Sequence, residues 1–141
     1  MISTKGRYAI SILLDLAEHQ NGDYIPMKSV AERQEISLKY IERILPALKS
    51  GGLIDSSHGK GGGYKLSREP DQITLWDILR LAEGDLAPVA CLRRDAALCD
   101  RANECRTLGI WEKYYQITEE YFAGITLADL MEREQPDNYV I

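Results

Sequence analysis

The stretch from Ile36 to Leu66 narrows the choice of fold more than any other part of the chain. Ser37 is a good N-cap, because its hydroxyl can accept from an orphan amide of the first helical turn. Behind it Tyr40, Ile41, Ile44, Leu45 and Leu48 recur at helical spacing and predict an amphipathic helix, which Gly51-Gly52 ends. Pro46 lies inside this helix and removes a hydrogen bond, which leaves room for a kink near Glu42. The period then changes to that of strands. Leu53 to His58 and Tyr64 to Leu66 read as two short strands around Gly59-Lys60-Gly61-Gly62-Gly63.

Two helices are predicted upstream. Ile10, Leu13, Leu14 and Ala17 place one over roughly Lys5 to Gln20, ending at Asn21-Gly22. Pro26 suits the first turn of the second, in which Val30 and Ala31 face inward up to Gln34. Helix, short turn, helix and glycine-tipped hairpin is the order of a winged helix-turn-helix. In that arrangement the second helix of the pair enters the major groove of DNA.

Downstream, Thr74 and Asp77 form a capping-box pattern that opens a helix through Ile78, Leu79 and Leu81 to Gly84. Asp85 to Glu104 shows no clean period, contains Pro88, and holds Cys91 and Cys99 with Cys105 just beyond. A loop this long is uncommon in a compact domain unless it has work to do. A helix from about Arg106 to Ala123 follows, with Trp111, Tyr114, Tyr115, Thr118, Tyr121, Phe122 and Ile125 as a wide aromatic face. The first half has its own core, so this face is expected to meet a second copy. Thr126 can cap a last short helix, and the tail from Gln135 is expected to be loose or swapped. The expected fold is therefore mainly α with a small β-hairpin wing. Its divisions are a winged helix-turn-helix over 1–84, a cysteine-bearing loop over 85–105, and a dimerisation helix with tail over 106–141.

A net charge of −5 argues at first against nucleic acid, which attracts cations. Residues 1–66 hold 9 Lys/Arg and 7 Asp/Glu, a net of +2, and residues 67–141 hold 8 and 15, a net of −7. The acidity thus lies away from the expected DNA face. No run of about eighteen apolar residues suggests a membrane span, and Met1 to Tyr8 lacks the apolar stretch of a secretion signal. The cytoplasm is the expected location.

At the exposed start of the recognition helix stand Ser37, Lys39, Tyr40, Glu42 and Arg43. Hydroxyl, Lys and Arg groups there can hold phosphates or donate to guanine edges, and Glu42 could accept from cytosine N4. The plainer alternative is a solvated helix face with Glu35 and Lys39 as an i,i+4 pair. The glycine run is not a nucleotide loop. Such a loop must open a helix, whereas Tyr64-Lys65-Leu66-Ser67-Arg68 alternates like a strand and no Gly-Lys-Ser/Thr occurs. It reads as a wing tip, with His58, Lys60, Gly62, Tyr64 and Lys65 close to the DNA backbone. Trp111, Tyr114, Tyr115 and Tyr121 could in principle stack single-stranded bases, but Glu112, Glu119 and Glu120 are interleaved and a dimer core is favoured. The cysteine loop suggests no Cys–His pair and no paired carboxylates mark an apolar pocket, so an enzyme is not expected.

Four motifs in order, Ser3-Thr4-Lys5-Gly6-Arg7-Tyr8-Ala9, Ile36-Ser37-Leu38-Lys39-Tyr40-Ile41-Glu42, Gly61-Gly62-Gly63-Tyr64 and Ile125-Thr126-Leu127-Ala128-Asp129-Leu130, span nearly the whole chain. Together they resemble the iron–sulfur cluster regulators of bacteria, the IscR/NsrR/CymR-type winged-helix repressors. The resemblance implies homodimers joined by the long C-terminal helix on palindromic double-stranded promoter DNA. It also implies that Glu42 tunes which operator is accepted. Cys91-x7-Cys99-x5-Cys105 is similar to the family's three-cysteine loop, which holds a [2Fe–2S] or [4Fe–4S] cluster. Thiolates are soft ligands suited to such clusters, and Arg93, Arg94, Arg101 and Arg106 would favour the thiolate form. Buried thiols and a zinc site are the alternatives. The chain departs from the pattern at Leu108, where the IscR-type ligand histidine is expected, and at Tyr8, where some members offer a carboxylate. The remaining histidines are His19 and His58, so Asp95, Asp100, Glu104, a partner residue or solvent would complete the set. A CymR-like repressor of sulfur metabolism, controlled by a partner enzyme without a cluster, is the alternative function; the cysteine triad argues against it.

Overall fold

Ala9, Ile12, Leu13, Leu16 and Ala17 turn one stripe of α1 (Thr4–His19) into the core of the computed structural model. The structure describes residues 2–94, 96–97 and 103–132. Asp95, Cys99, Asp100, Arg101 and the tail from Gln135 lie outside the described residues. Helix α2 (Met27–Gln34) starts one position later than expected, with Pro26 as its N-cap at φ −63° and ψ 134°. Glu35 takes a left-handed φ of 55° and donates its amide to the carbonyl of Ala31, which turns the chain sharply toward α3.

Helix α3 (Leu38–Ser50) is capped as expected, Ser37 accepting from the amide of Tyr40. It continues through Pro46, and Ile41, Ile44, Leu45 and Leu48 bury its inner stripe. Strands β1 (Ile54–Ser57) and β2 (Gly63–Leu66) follow as an antiparallel hairpin, with Ile54 opposite Leu66 and Ser57 opposite Gly63. The hairpin has a third participant that the sequence did not suggest. Ile25 exchanges both backbone hydrogen bonds with Tyr64, each 2.8 Å long. Gly63 is the residue this approach requires, because a Cβ there would overlap the carbonyl of Ile25.

The capping box of Thr74 and Asp77 opens α4 (Leu75–Glu83), which packs against α1. Glu83 at its end accepts from the amide of Ser3 at 2.8 Å and from its hydroxyl at 2.9 Å. A carboxylate is thereby placed beside the start of α1, where helix amides favour negative charge. Helix α5 (Leu108–Ala123) begins two residues later than expected and leads into α6 (Leu127–Met131), itself opened by a Thr126–Asp129 capping box. Short 3₁₀ turns at Pro70–Gln72 and Ala90–Leu92 were not foreseen. Leu127 is fully buried, and its amide donates to Ile73 while the amide of Leu75 donates to Ile125. The C-terminal segment is thus stitched into the core built by the first half.

One charge lies inside that core. Asp15 of α1 is 2% exposed and receives Arg33 at 2.6 Å and 3.0 Å and Gln34 at 2.8 Å, both from α2. Burial pushes its carboxyl up, but the hydrogen bonds from Arg33 and Gln34 and the charge of Arg33 outweigh that and hold it below the usual range. The same bond raises Arg33. Removing one partner of a buried pair costs more than the pair itself contributes. Arg33→Ala should therefore destabilise the fold by about 1–3 kcal/mol in urea titrations, since it strands a buried carboxylate. Because the folded-state pKa of Asp15 is depressed, its contribution is present above about pH 4 and disappears on further acidification. Asp15→Asn should flatten that acid limb, and equal stability of Arg33→Ala and the parent chain would refute the clasp.

Candidate nucleic-acid interface and cysteine loop

The residues expected to meet DNA fall on two surfaces, the start of α3 and the hairpin, and Glu42 and Tyr64 of this set share one groove. Ser37, Lys39, Glu42 and Arg43 are exposed on the first two turns of α3. Tyr40 is only half-exposed, because its ring meets that of Tyr8 edge-on with centroids 5.5 Å apart. His58 and Lys60 are exposed at the hairpin tip. Gly62 closes that tip, donating its amide to the carbonyl of Gly59 at 3.0 Å, and a Cβ on it would press into the carbonyl of Ser57. Tyr64 is half-buried on β2 and lines a groove of about 460 Å³ together with Glu42, Leu45, Pro46, Lys49 and Ser50. Lys65, its neighbour, holds its ammonium 4.5 Å from the centre of the Tyr24 ring, a cation–π arrangement.

Two residues on this surface escaped the sequence reading. Leu38 begins α3 and is 39% exposed, and Lys49 lines the groove at the penultimate position of the helix. The spacing of Leu38, Glu42, Leu45 and Lys49 is i, i+4, i+7, i+11, a single helical row that was available as a signal.

The cysteine loop leaves the end of α4 through Asp85. Its carboxylate accepts from the amide of Ala87 at 2.8 Å and from that of Arg94 at 3.2 Å, which pinches the segment between them. Cys91 sits exposed in the 3₁₀ turn within the pinch. Cys105 is exposed just before α5, its Sγ 3.6 Å from Thr107 Oγ1. Among the described residues no group of three or more His, Cys, Asp or Glu is arranged to hold a metal ion, and Cys99 lies outside them. The donor chemistry nevertheless suits a soft metal or cluster. Both described thiols are solvent-accessible, and the exposed cations Arg93, Arg94 and Arg106 lie close to them in sequence.

The aromatic helix does not present one face. Tyr115 turns inward against Trp76, with ring centroids 5.9 Å apart, and Phe122 packs on the core. Burial pushes the Tyr115 phenol up, and the charges of Asp85 and Glu119 add to this. Ile110, Trp111, Tyr114, Ile117 and Tyr121 form the opposite row and are 38% to 63% exposed. Ile110 and Ile117 were not in the expected set. Beside this row Ile2, Leu86 and Pro88 complete an apolar groove of about 630 Å³, so the root of the cysteine loop forms part of its wall. Among the described residues no helix is long and apolar enough to cross a membrane.

Comparison with known proteins agrees with this geometry. Residues 2–133 match the Rrf2 family model, described as an iron-dependent transcriptional regulator. The transcriptional regulator IscR of Aliivibrio salmonicida is 32% identical over 130 residues, covering 92% of this chain and 76% of that protein. The structure of CymR, the global cysteine regulator of B. subtilis, superposes with a TM-score of 0.75 at 34% identity over 96% of this chain and 98% of that one. IscR of T. potens gives a TM-score of 0.70 at 34% identity, over 96% and 93%. An exposed recognition helix, a glycine-tipped wing and a family match across nearly the full length lead to one assignment: the chain belongs to the Rrf2 family of transcriptional regulators.

Proposed function

We propose that this regulator is a cytoplasmic homodimeric repressor of promoter DNA whose affinity is set by the state of its three-cysteine loop. The observation that carries the proposal is the shared wall of the apolar groove. Leu86 and Pro88, at the root of the cysteine loop, stand beside Trp111, Tyr114 and Tyr121 on the exposed row of α5. A loop that changes shape there alters the surface on which a second copy would seat, and with it the spacing of two recognition helices.

In this reading residues 1–84 contact DNA, 85–105 carry the sensing thiols, and 106–141 join the two copies. Ser37, Lys39, Tyr40 and Arg43 hold phosphates and guanine edges, and Glu42 selects the base pair it accepts from. His58, Lys60, Gly62 and Tyr64 set the wing against the backbone. Cys91, Cys99 and Cys105 would hold an iron–sulfur cluster, [2Fe–2S] or [4Fe–4S], and the bound group supplies a redox-sensitive tie among three thiolates. Asp85 fixes both ends of the segment around Cys91, so displacement of that thiol is passed to Leu86 and Pro88. The likeness to CymR supports a second reading, a repressor of sulfur metabolism governed by a protein partner without a cluster.

Anaerobic reconstitution separates these readings. The parent chain should take up iron and sulfide and absorb in the visible range, and its affinity for operator DNA should change on oxidation. Cys99→Ala should stay colourless while still eluting as a dimer; a colourless parent would remove the cluster and leave the partner-controlled reading. Ile117→Asp should shift sedimentation to the monomer and weaken operator binding by about 100-fold through lost bivalency. Retention of a dimer by that variant would move the interface elsewhere. Glu42→Ala should keep the fold and relax operator choice by roughly 1–3 kcal/mol at one base pair, as seen by gel shift across several palindromes. Unchanged selectivity would take Glu42 out of the reading set.

A further inference from the structure

Seven large apolar residues are conspicuously exposed among the described ones, and six of them lie toward the C-terminus. Five form the outer row of α5, and Met131 ends α6. Leu38 is the seventh and belongs to neither group. A lone exposed leucine is ordinary on a protein surface. Its place in α3 sets this one apart.

Leu38 is the first residue of the recognition helix, and the N-terminal residues of such a helix meet base edges. Its helical row continues through Glu42, Leu45 and Lys49, which line the groove facing Tyr64 of the wing together with Pro46 and Ser50 of the same helix. Ser37 before it has its hydroxyl oxygen engaged as the cap, accepting from Tyr40. Lys39 after it is turned 100° around the helix axis. The side chain at the leading edge of the row is therefore apolar. In the major groove one base feature is apolar as well, the C5-methyl of thymine.

We infer that Leu38 is a specificity-determining residue that packs against a thymine methyl, one helical turn from the base pair Glu42 accepts from. This rests on the DNA-binding reading above and adds a base preference to it. The contact replaces two hydrated apolar surfaces by one buried pair, which favours thymine over cytosine without any hydrogen bond. It also explains why a leucine is tolerated in a row otherwise led by Glu42 and Lys49.

The test uses the full chain and a palindromic duplex selected from a random pool for binding to it. Each thymine of the half-site is replaced in turn by deoxyuridine, which deletes the methyl and leaves every hydrogen-bonding group. For the parent chain one such replacement should weaken binding about fourfold per half-site, the worth of one buried methyl-sized group. For Leu38→Ala the same replacement should change affinity by less than half as much, because the methyl has lost its partner. Leu38→Met, which keeps the apolar contact, should retain the sensitivity, and circular dichroism should show both variants folded. If the parent binds the selected duplex and no deoxyuridine weakens it, or Leu38→Ala shows the same loss as the parent, the inference fails and DNA binding stands. If the parent selects no duplex at all, the DNA-binding reading fails first and this inference with it.

Discussion

Helix α2 is eight residues long and buries only Met27 and Val30, too little to stand as a helix by its own propensity. What holds it in place is the carboxylate of Asp15. A buried carboxylate must be matched, and the two side chains that hydrogen-bond it, Arg33 and Gln34, are the last two residues of α2, with His19 Nδ1 3.6 Å away. The clasp therefore fixes the end of α2 against the C-terminal half of α1. Four residues after Gln34 the chain enters α3, so the direction in which the recognition helix is presented follows from one buried ion pair. Apolar packing supplies most of the burial, but it is non-directional. The hydrogen bonds of Asp15 supply the angle.

The second organising fact is that α5 is asymmetric. Tyr115 and Phe122 join it to the core, and the Thr126 turn carries Leu127 into the same core. With its inner side and its far end fixed, the helix has its other row left exposed. The near end begins just after Cys105, and the groove beside it borrows Leu86 and Pro88 from the loop that starts at Asp85. Thiol chemistry and subunit contact thus share side chains in the proposed mechanism, without a long route between them.

The parts legible in the sequence were those decided by neighbours in sequence. Ser37, Thr74 and Thr126 each cap the helix they were expected to cap, because a cap depends on three or four consecutive residues. The wing was legible for the same reason, since glycines between two alternating runs leave few other folds. Features that depend on distant partners were not. Asp15 lies among apolar residues and carries no local mark of its pairing with Arg33. The aromatic residues of α5 were assigned to one face because period alone cannot tell which residues the core will claim; the structure divides them, and adds Ile110 and Ile117 to the outer row. Tyr40 and Lys65 were expected near DNA, and their aromatic neighbours from other elements, Tyr8 and Tyr24, carried no local signal. The triad of thiols was legible as spacing. Its geometry depends on Cys99, outside the described residues.

The backbone pairing of Ile25 with Tyr64 has a mechanical consequence. A two-stranded hairpin alone is a soft element that can sway about its base. Here the linker between α1 and α2 is bonded into it, and Gly63 lets the two backbones close to hydrogen-bonding distance. Hairpin and linker are thereby tied by two backbone hydrogen bonds, which restrains the wing relative to the helices on either side of the linker. A rearrangement at the far end of α1, where Glu83 grips Ser3, would turn the wing and α3 together rather than bend one against the other. In the proposed function, a change of grip on a duplex would then come from reorienting the whole reading head.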